Sequence, residues 1–216
     1  MAIISIASTK GGVGKTSLAF SLAKDLDYRY ATNDMSVVLN KYRKARYHPA
    51  KIPLYPDTVY DFGGFIDSRS DEILRQSDII IIPTINDLNS IMKSLTLIKK
   101  FREKTLLVFA NMIEHPNDAR TIRNKIHEHF PSLAFTYMRR TKLLKNALET
   151  GMSATELYQL NNQTLHLYER AYKEYSKILR LFTTEGQYFR GAGELPASME
   201  PAAACDQRGE EAVTVQ

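Results

Sequence analysis

The hydrophobic positions fall into short continuous runs separated by stretches of helical period. Four runs, "AIISIAS" (2–8), "TVYDF" (58–62), "DIIIIPT" (78–84) and "TLLVFAN" (105–111), are apolar at almost every position. Runs of this length, rich in β-branched and aromatic residues and without alternation, predict strands buried on both faces, as in a parallel sheet. "YRYATND" (28–34) and "AFTYM" (134–138) fit the same pattern less fully. Between the runs the period lengthens. "KTSLAFSLAKDL" (15–26) predicts a helix, and "NDLNSIMKSLTLIKKFRE" (86–103) sets Leu88, Ile91, Leu95 and Ile98 three and four apart. "NDARTIRNKIHEHF" (117–130) predicts another, with Asn117 as its N-cap. This order predicts an α/β domain with a doubly wound, mostly parallel sheet and helices on both faces.

A last helix is predicted over 162–182. Leu165, Tyr168, Tyr172, Tyr175, Leu179 and Phe182 form its apolar stripe, to be packed on the sheet. His166, Arg170, Lys173, Lys177 and Arg180 form a basic stripe beside it. Beyond it the pattern stops. The segment "GAGELPASMEPAAACDQRGEEAVTVQ" holds almost no large apolar residue and cannot offset the entropy of ordering. The chain therefore divides into a folded domain, 1–183, and an acidic tail, 184–216, expected to be disordered.

Charge sharpens this division. The 216-residue chain carries +5, but from Thr183 onward six acids face two bases, leaving the tail at −4 and the body at +9. A basic body favours a polyanionic partner. The single cysteine, Cys205, excludes a disulfide framework or a cysteine metal site and suits a reducing cytoplasm. The N-terminal apolar run lacks a basic lead and enters a glycine loop directly, so it reads as a strand and not a signal peptide. No apolar run approaches the ~18 residues that span a bilayer.

The chemistry is concentrated in "STKGGVGKTS" (8–17). Glycines let the backbone approach phosphate oxygens with its N–H groups turned inward, and the following helix adds its free N–H groups and positive end. Gly11, Gly12, Val13, Gly14, Lys15, Thr16 and Ser17 are the candidate nucleotide-binding residues. Lys15 would reach the phosphates, and the Thr16 hydroxyl would reach Mg²⁺. Thr9 stands where the standard loop has its first glycine. A magnesium–nucleotide site also needs an acid at the end of a neighbouring strand. Asp61 ends the run "TVYDF", and Gly64 follows where a backbone N–H meets a γ-phosphate. Thr16 and Asp61 are the candidate metal residues. One feature of the loop exceeds these needs: a second lysine, Lys10, precedes the glycines.

"KGGVGKTS" resembles the deviant Walker A motif of the ParA/MinD superfamily of ATPases, whose mark is that extra lysine. The resemblance covers about residues 1–182 and is most like a small ParA-type partition ATPase. It implies a mostly parallel α/β sheet, bound ATP and Mg²⁺, and a homodimer with ATP sandwiched between its subunits. Lys15 then serves its own nucleotide, while Lys10 crosses to the partner's. "LLVFANM" is similar to the family strand whose terminal Asn, here Asn111, contacts adenine. "TYMRRTKLLKNALETGMSATEL" is similar to the segment in which basic residues precede a helix and a glycine turn. The family's Asp-x-Asp-Pro-Gln at the second strand is reduced here to "TNDMS". Asp34 is the surviving second acid and the candidate for positioning the attacking water, beside Lys10 and Lys15 as catalytic residues, with hydrolysis expected to be slow and partner-stimulated.

Within that superfamily three branches differ in partner. A ParA-type ATPase binds double-stranded DNA without sequence preference as an ATP dimer and is released when an activating centromere-binding or adaptor protein stimulates hydrolysis. That branch fits the basic segments: "KYRKARYHPAK" (41–51), Arg139, Arg140, Lys142 and Lys145, and then Arg170, Lys173 and Lys177 on the last helix. Such a protein would be cytoplasmic and bacterial, associated with the nucleoid. A MinD-like membrane switch wants a basic amphipathic C-terminus, where this chain is acidic. The third branch is an enzyme of the same superfamily, a metal-carrier or nitrogenase-reductase type or an amide or carboxylate ligase; the missing cysteines exclude an iron–sulfur link between subunits, and Lys10 argues for the dimeric switch. A conjugation-associated ParA-like accessory ATPase is the further alternative.

Overall fold

The structure, a computed structural model, describes residues 2–63 and 68–183. Among these, seven strands form one sheet: β1 (Ile3–Ala7), β2 (Arg29–Thr32), β3 (Ala45–Tyr47), β4 (Thr58–Phe62), β5 (Ile79–Thr84), β6 (Leu106–Ile113) and β7 (Ala134–Arg139). The helices are α1 (Lys15–Asp25), α2 (Ser68–Gln76), α3 (Leu88–Lys100), α4 (Pro116–His127), α5 (Leu143–Thr150), α6 (Ala154–Tyr158) and α7 (Asn162–Arg180). The order across the sheet is β3-β2-β4-β1-β5-β6-β7, and every pairing is parallel.

The continuous apolar runs are explained by two cores, one on each face. Along β5, Ile79 and Ile81 enter the core shared with α1, α5, α6 and α7, while Ile80 and Ile82 enter the core shared with α2, α3 and α4. Side chains alternate across a strand, so a central strand covered on both sides must be apolar at both parities. Ile4 and Ile6 of β1 and Val59 of β4 face α1, and Tyr60 and Phe62 face the other core.

The elements that sequence pattern missed are the small ones. β3 is three residues at the sheet edge with Arg46 and Tyr47 exposed, a charged edge that discourages pairing with another chain. α2 buries only Ser70, Ile73 and Leu74. The cap of α4 is corrected: His115 is the N-cap, Pro116 opens the helix, and the Asp118 carboxylate accepts from the His115 N–H at 3.0 Å, so Asn117 lies inside the first turn. The stripe of α7 is also adjusted. Tyr168, Ala171, Tyr175, Ile178 and Leu181 are buried, whereas Leu165, Tyr172, Leu179 and Phe182 are half-buried at its margins. Leu88, expected on the buried stripe of α3, is 64% exposed. The acidic tail, 184–216, lies outside the described residues.

Candidate functional site

From β1 the chain first builds one side of the sheet, β2 to β4, and then returns to build the other, β5 to β7. The loop after β1 therefore opens at the point where strand order reverses, at the carboxyl ends of the strands, the place where such sheets bind ligands. Ile6 of β1 lies opposite Asp61 of β4, which puts the glycine loop and that acid side by side.

Two glycines of the loop have left-handed backbones, Gly12 at φ 76° and Gly14 at φ 87°. Gly11 and Gly12 are exposed, and a Cβ at either would meet nothing within 4 Å. Gly14 is the N-cap of α1. It supplies no side-chain cap, and the first turn holds no acid, so the helix presents bare N–H groups and its positive end to the loop. The loop is fastened from below by Asn111, which is buried at the end of β6. Its Nδ2 donates to the Val13 carbonyl at 3.0 Å, and its Oδ1 accepts from the Met112 N–H at 2.9 Å. Met112 has φ 57°, where the pairing of β6 with β7 shifts. Ser17 Oγ donates to the Gly14 carbonyl at 3.2 Å. Thr16 follows Lys15 in the first turn of α1, half-buried beneath the loop.

The two lysines part company. Lys15 is buried and its Nζ donates to the Lys10 carbonyl at 3.0 Å, across the loop. Burial pushes its ammonium below the usual lysine range, opposed by the charges of Asp61 and Asp34. Lys10 stays half-exposed, and its Nζ lies 3.5 Å from Asp87 Oδ2. Asp87 is the N-cap of α3, and its carboxylate is held below the ordinary range first by the Ser90 backbone N–H at 2.9 Å and then by Lys10. Lys93, nearly two helical turns farther on, donates to the Thr9 carbonyl at 3.3 Å. Neither Asp87 nor Lys93 stood out in the sequence; Asp87 had a signal only as an acid one residue ahead of a helical pattern.

Asp61 is 3% exposed. Its Oδ2 accepts from the Tyr30 hydroxyl at 2.7 Å, while its Oδ1 is buried without a hydrogen-bond partner. Burial raises its carboxyl, and Tyr30, the nearby Thr16 hydroxyl and Lys15 oppose that rise. A buried carboxylate oxygen left unpaired beside a threonine hydroxyl fits a divalent cation. Thr16 and Asp61 are thus the residues that would hold magnesium, and the glycine loop with Lys15 would hold the phosphates. Asp34 is exposed on the turn after β2, and a Cβ on Gly63 would lie 3.0 Å from its Oδ2. The Gly63 N–H donates to Asn33 Oδ1 at 3.1 Å, which joins that turn to the end of β4. Gly64 lies outside the described residues.

The basic residues are unequally free. Arg139 donates through Nε at 3.0 Å and Nη2 at 2.7 Å to Oε1 of the buried Glu174, whose Oε2 accepts from the Arg139 backbone N–H at 2.8 Å. Arg140 pairs with Glu114, Lys145 with Glu149 at 3.6 Å, and Lys173 with Glu169 at 2.7 Å. Lys142, Arg170 and Lys177 make no ion pair among the described residues, and Arg170 and Lys177 are exposed within about one turn of Glu174 on α7.

Comparison with known proteins agrees with this geometry. In structure the chain is similar to the septum site-determining protein MinD complexed with Mg-ADP from Pyrococcus horikoshii OT3, with a TM-score of 0.62 and 12% identity over 87% of this chain and 98% of that one. It is similar to apo McdA from Cyanothece, with a TM-score of 0.59 and 15% identity over 83% and 99% of the two chains. It is also similar to a putative plasmid partition protein from Borrelia burgdorferi B31 bound to AMPPNP, with a TM-score of 0.55 and 18% identity over 82% and 99%. At such identities the likeness carries the fold alone. A search of curated proteins found no match. The model of the CobQ/CobB/MinD/ParA nucleotide-binding domain matches residues 4–154, from the first strand through the glycine loop, Asp34, Asp61 and Asn111 to α5. The chain belongs to that family of nucleotide-binding domains, within the ParA/MinD superfamily.

Proposed function

We propose that the protein is a ParA-like ATPase: it binds Mg-ATP, pairs with a second copy across the nucleotide, binds duplex DNA without sequence preference in that state, and leaves it after hydrolysis. The observation that carries this reading is the divergence of the two lysines. Lys15 is buried under its own loop. Lys10 keeps a half-exposed side chain whose Nζ is paired with the carboxylate of Asp87, the N-cap of α3. A cation so placed adds nothing to its own phosphates but is free to meet those of a second copy, where it stabilises developing charge only in the dimer. Hydrolysis is thereby tied to assembly. Asp34, exposed at the mouth of the loop and acting electrostatically on Lys15, is the acceptor that positions the attacking water.

DNA is the partner that suits the body of the molecule. Lys142, Arg170 and Lys177 lead the contact, with Arg140, Lys145 and Lys173 able to exchange an exposed acid for phosphate. An activating protein that stimulates hydrolysis completes the cycle, as in plasmid or chromosome partition. The test is binding of the full chain to a random duplex under Mg-ATP and under Mg-ADP across a salt titration, with Lys10→Ala as control. Salt-sensitive binding with ATP, weak with ADP and lost in the variant, is expected. Equal binding in both nucleotide states, or none in either, would refute the reading of ATP-gated DNA binding.

A further inference from the structure

We infer that Tyr30 is a positioning residue for the metal: its hydroxyl fixes one oxygen of Asp61 and thereby reserves the other for the cation. The inference rests on the magnesium–nucleotide reading of the site and goes beyond the glycine loop and the strand-end acid that define it.

The register of the sheet makes the contact possible. Tyr30 of β2 lies opposite Val59 of β4, two residues before Asp61, and Asp61 lies opposite Thr32. Residues two apart share a face, so Tyr30 and Asp61 are diagonal neighbours on the α1 side of the sheet. Diagonal neighbours on one face lie within reach of an aromatic or other long side chain. Tyr30 is fully buried in the core beneath the site, with only its hydroxyl directed at the acid. The 2.7 Å bond occupies Oδ2 and removes the freedom of the carboxylate to rotate.

The unpaired oxygen distinguishes this from ordinary satisfaction of a buried acid. A carboxylate with a purely structural role would have both oxygens hydrogen-bonded, because an unpaired buried acceptor is costly. Oδ1 has no partner within hydrogen-bonding geometry, and the Thr16 hydroxyl beside it, Lys15 and Asp34 are the groups acting on the carboxylate from the nucleotide side. Tyr30 thus does for the metal-holding acid what outer hydrogen-bond partners do for metal ligands elsewhere: it sets orientation.

The experiment is a magnesium titration of binding to a fluorescent ATP analogue, using the full chain, with affinity in EDTA measured in parallel. In Tyr30→Phe the magnesium concentration at half-effect should rise about tenfold to a hundredfold, the usual loss when such a partner is removed, while nucleotide affinity in EDTA is unchanged. Replacing Tyr30 with p-aminophenylalanine keeps a donor at the same place and should restore the wild-type titration. A Tyr30→Phe protein with an unshifted magnesium titration overturns the inference. So does one that loses nucleotide affinity equally with and without metal, since that marks a role in folding only. If the wild type itself binds no nucleotide, the underlying reading fails first and the inference falls with it.

Discussion

Replacing Gly14 with alanine tests the way the loop is held. Two costs add at this position. The backbone is left-handed, at φ 87°, which costs a residue with a Cβ roughly 1–2 kcal/mol. The new Cβ would also lie 2.4 Å from Asn111 Nδ2, far inside contact distance. The amide is the end of a side chain, but it cannot swing away freely, because it is buried and bonded at both ends, to Val13 and Met112. Moving it leaves at least one buried group unpaired, about 1–3 kcal/mol. The sum is about 2–5 kcal/mol, a large share of the roughly 5–15 kcal/mol that stabilises a domain. Gly12→Ala bears the backbone cost alone, about 1–2 kcal/mol, because its Cβ meets open space. Gly11→Ala bears neither and should leave stability unchanged while obstructing the approach of phosphate. Urea denaturation of the three variants without nucleotide measures the series, and in an Asn111→Ala background Gly14→Ala should cost only the backbone part, about 1–2 kcal/mol, because the clashing amide is already gone. Equal destabilisation by Gly12→Ala and Gly14→Ala, or an undiminished cost of Gly14→Ala in the Asn111→Ala background, would refute the role given to Asn111.

Further outcomes follow from the charges. Asp87→Asn keeps the helix cap, since Asn caps as well as Asp, but removes the charge that holds Lys10; ATP-dependent dimerisation by sedimentation should strengthen, whereas Lys10→Ala should abolish it and keep nucleotide binding. Arg139→Ala should lower stability by about 1–3 kcal/mol in chemical denaturation, because Glu174 is left buried with a single donor, while Lys142→Ala, Arg170→Ala and Lys177→Ala should leave stability intact and each reduce the salt slope of DNA binding by about 0.9. Burial pushes the Asp25 carboxyl up despite hydrogen bonds from Ser153, Tyr175 and Thr155. Stability of that sign is fully present below the usual carboxylate pKa and lost as pH rises through the raised value. The stability of wild type relative to Asp25→Asn should therefore decline as pH rises above about 4, and a relative stability that rises from there would contradict the assignment.

The central strands were legible because burial on both faces leaves a mark at every position: β1, β4, β5 and β6 are runs that few other elements produce. β3 and α2 were not, because an edge strand and a solvent-facing helix need few apolar residues, and "ARY" or "SRSDEILRQ" is compatible with a loop. The misplaced cap of α4 has a definite cause. Pro116 favours the first helical position, which moves the cap back to His115 and makes Asp118 its reciprocal partner. Leu88 fits the apolar period of α3, but it stands in the first turn, where the helix emerges beside the glycine loop, so period alone assigned it to a core that does not reach it.

The loop was legible for a different reason: backbone contact with phosphate restricts residue type at fixed spacing, and few other demands produce Gly-x-Gly-Lys-Thr after a strand. The groups that support the loop come from distant segments, so spacing carries no trace of them. Tyr30 looks like any aromatic strand residue until register sets it diagonal to Asp61. Asp87 looks like a helix cap until the fold brings Lys10 to it. This last contact bears on why the chain carries two lysines. Lys15 has given up water for a buried position where the Lys10 carbonyl and the charges of Asp61 and Asp34 compensate it, so it is committed to its own site. Lys10 and its partner Asp87 are both half-exposed, an arrangement with little intrinsic strength. A triphosphate presented by a second copy is the stronger anion, and it should draw Lys10 from Asp87 only when that copy is in place. The weakness of the surface pair is therefore what lets the second lysine report assembly.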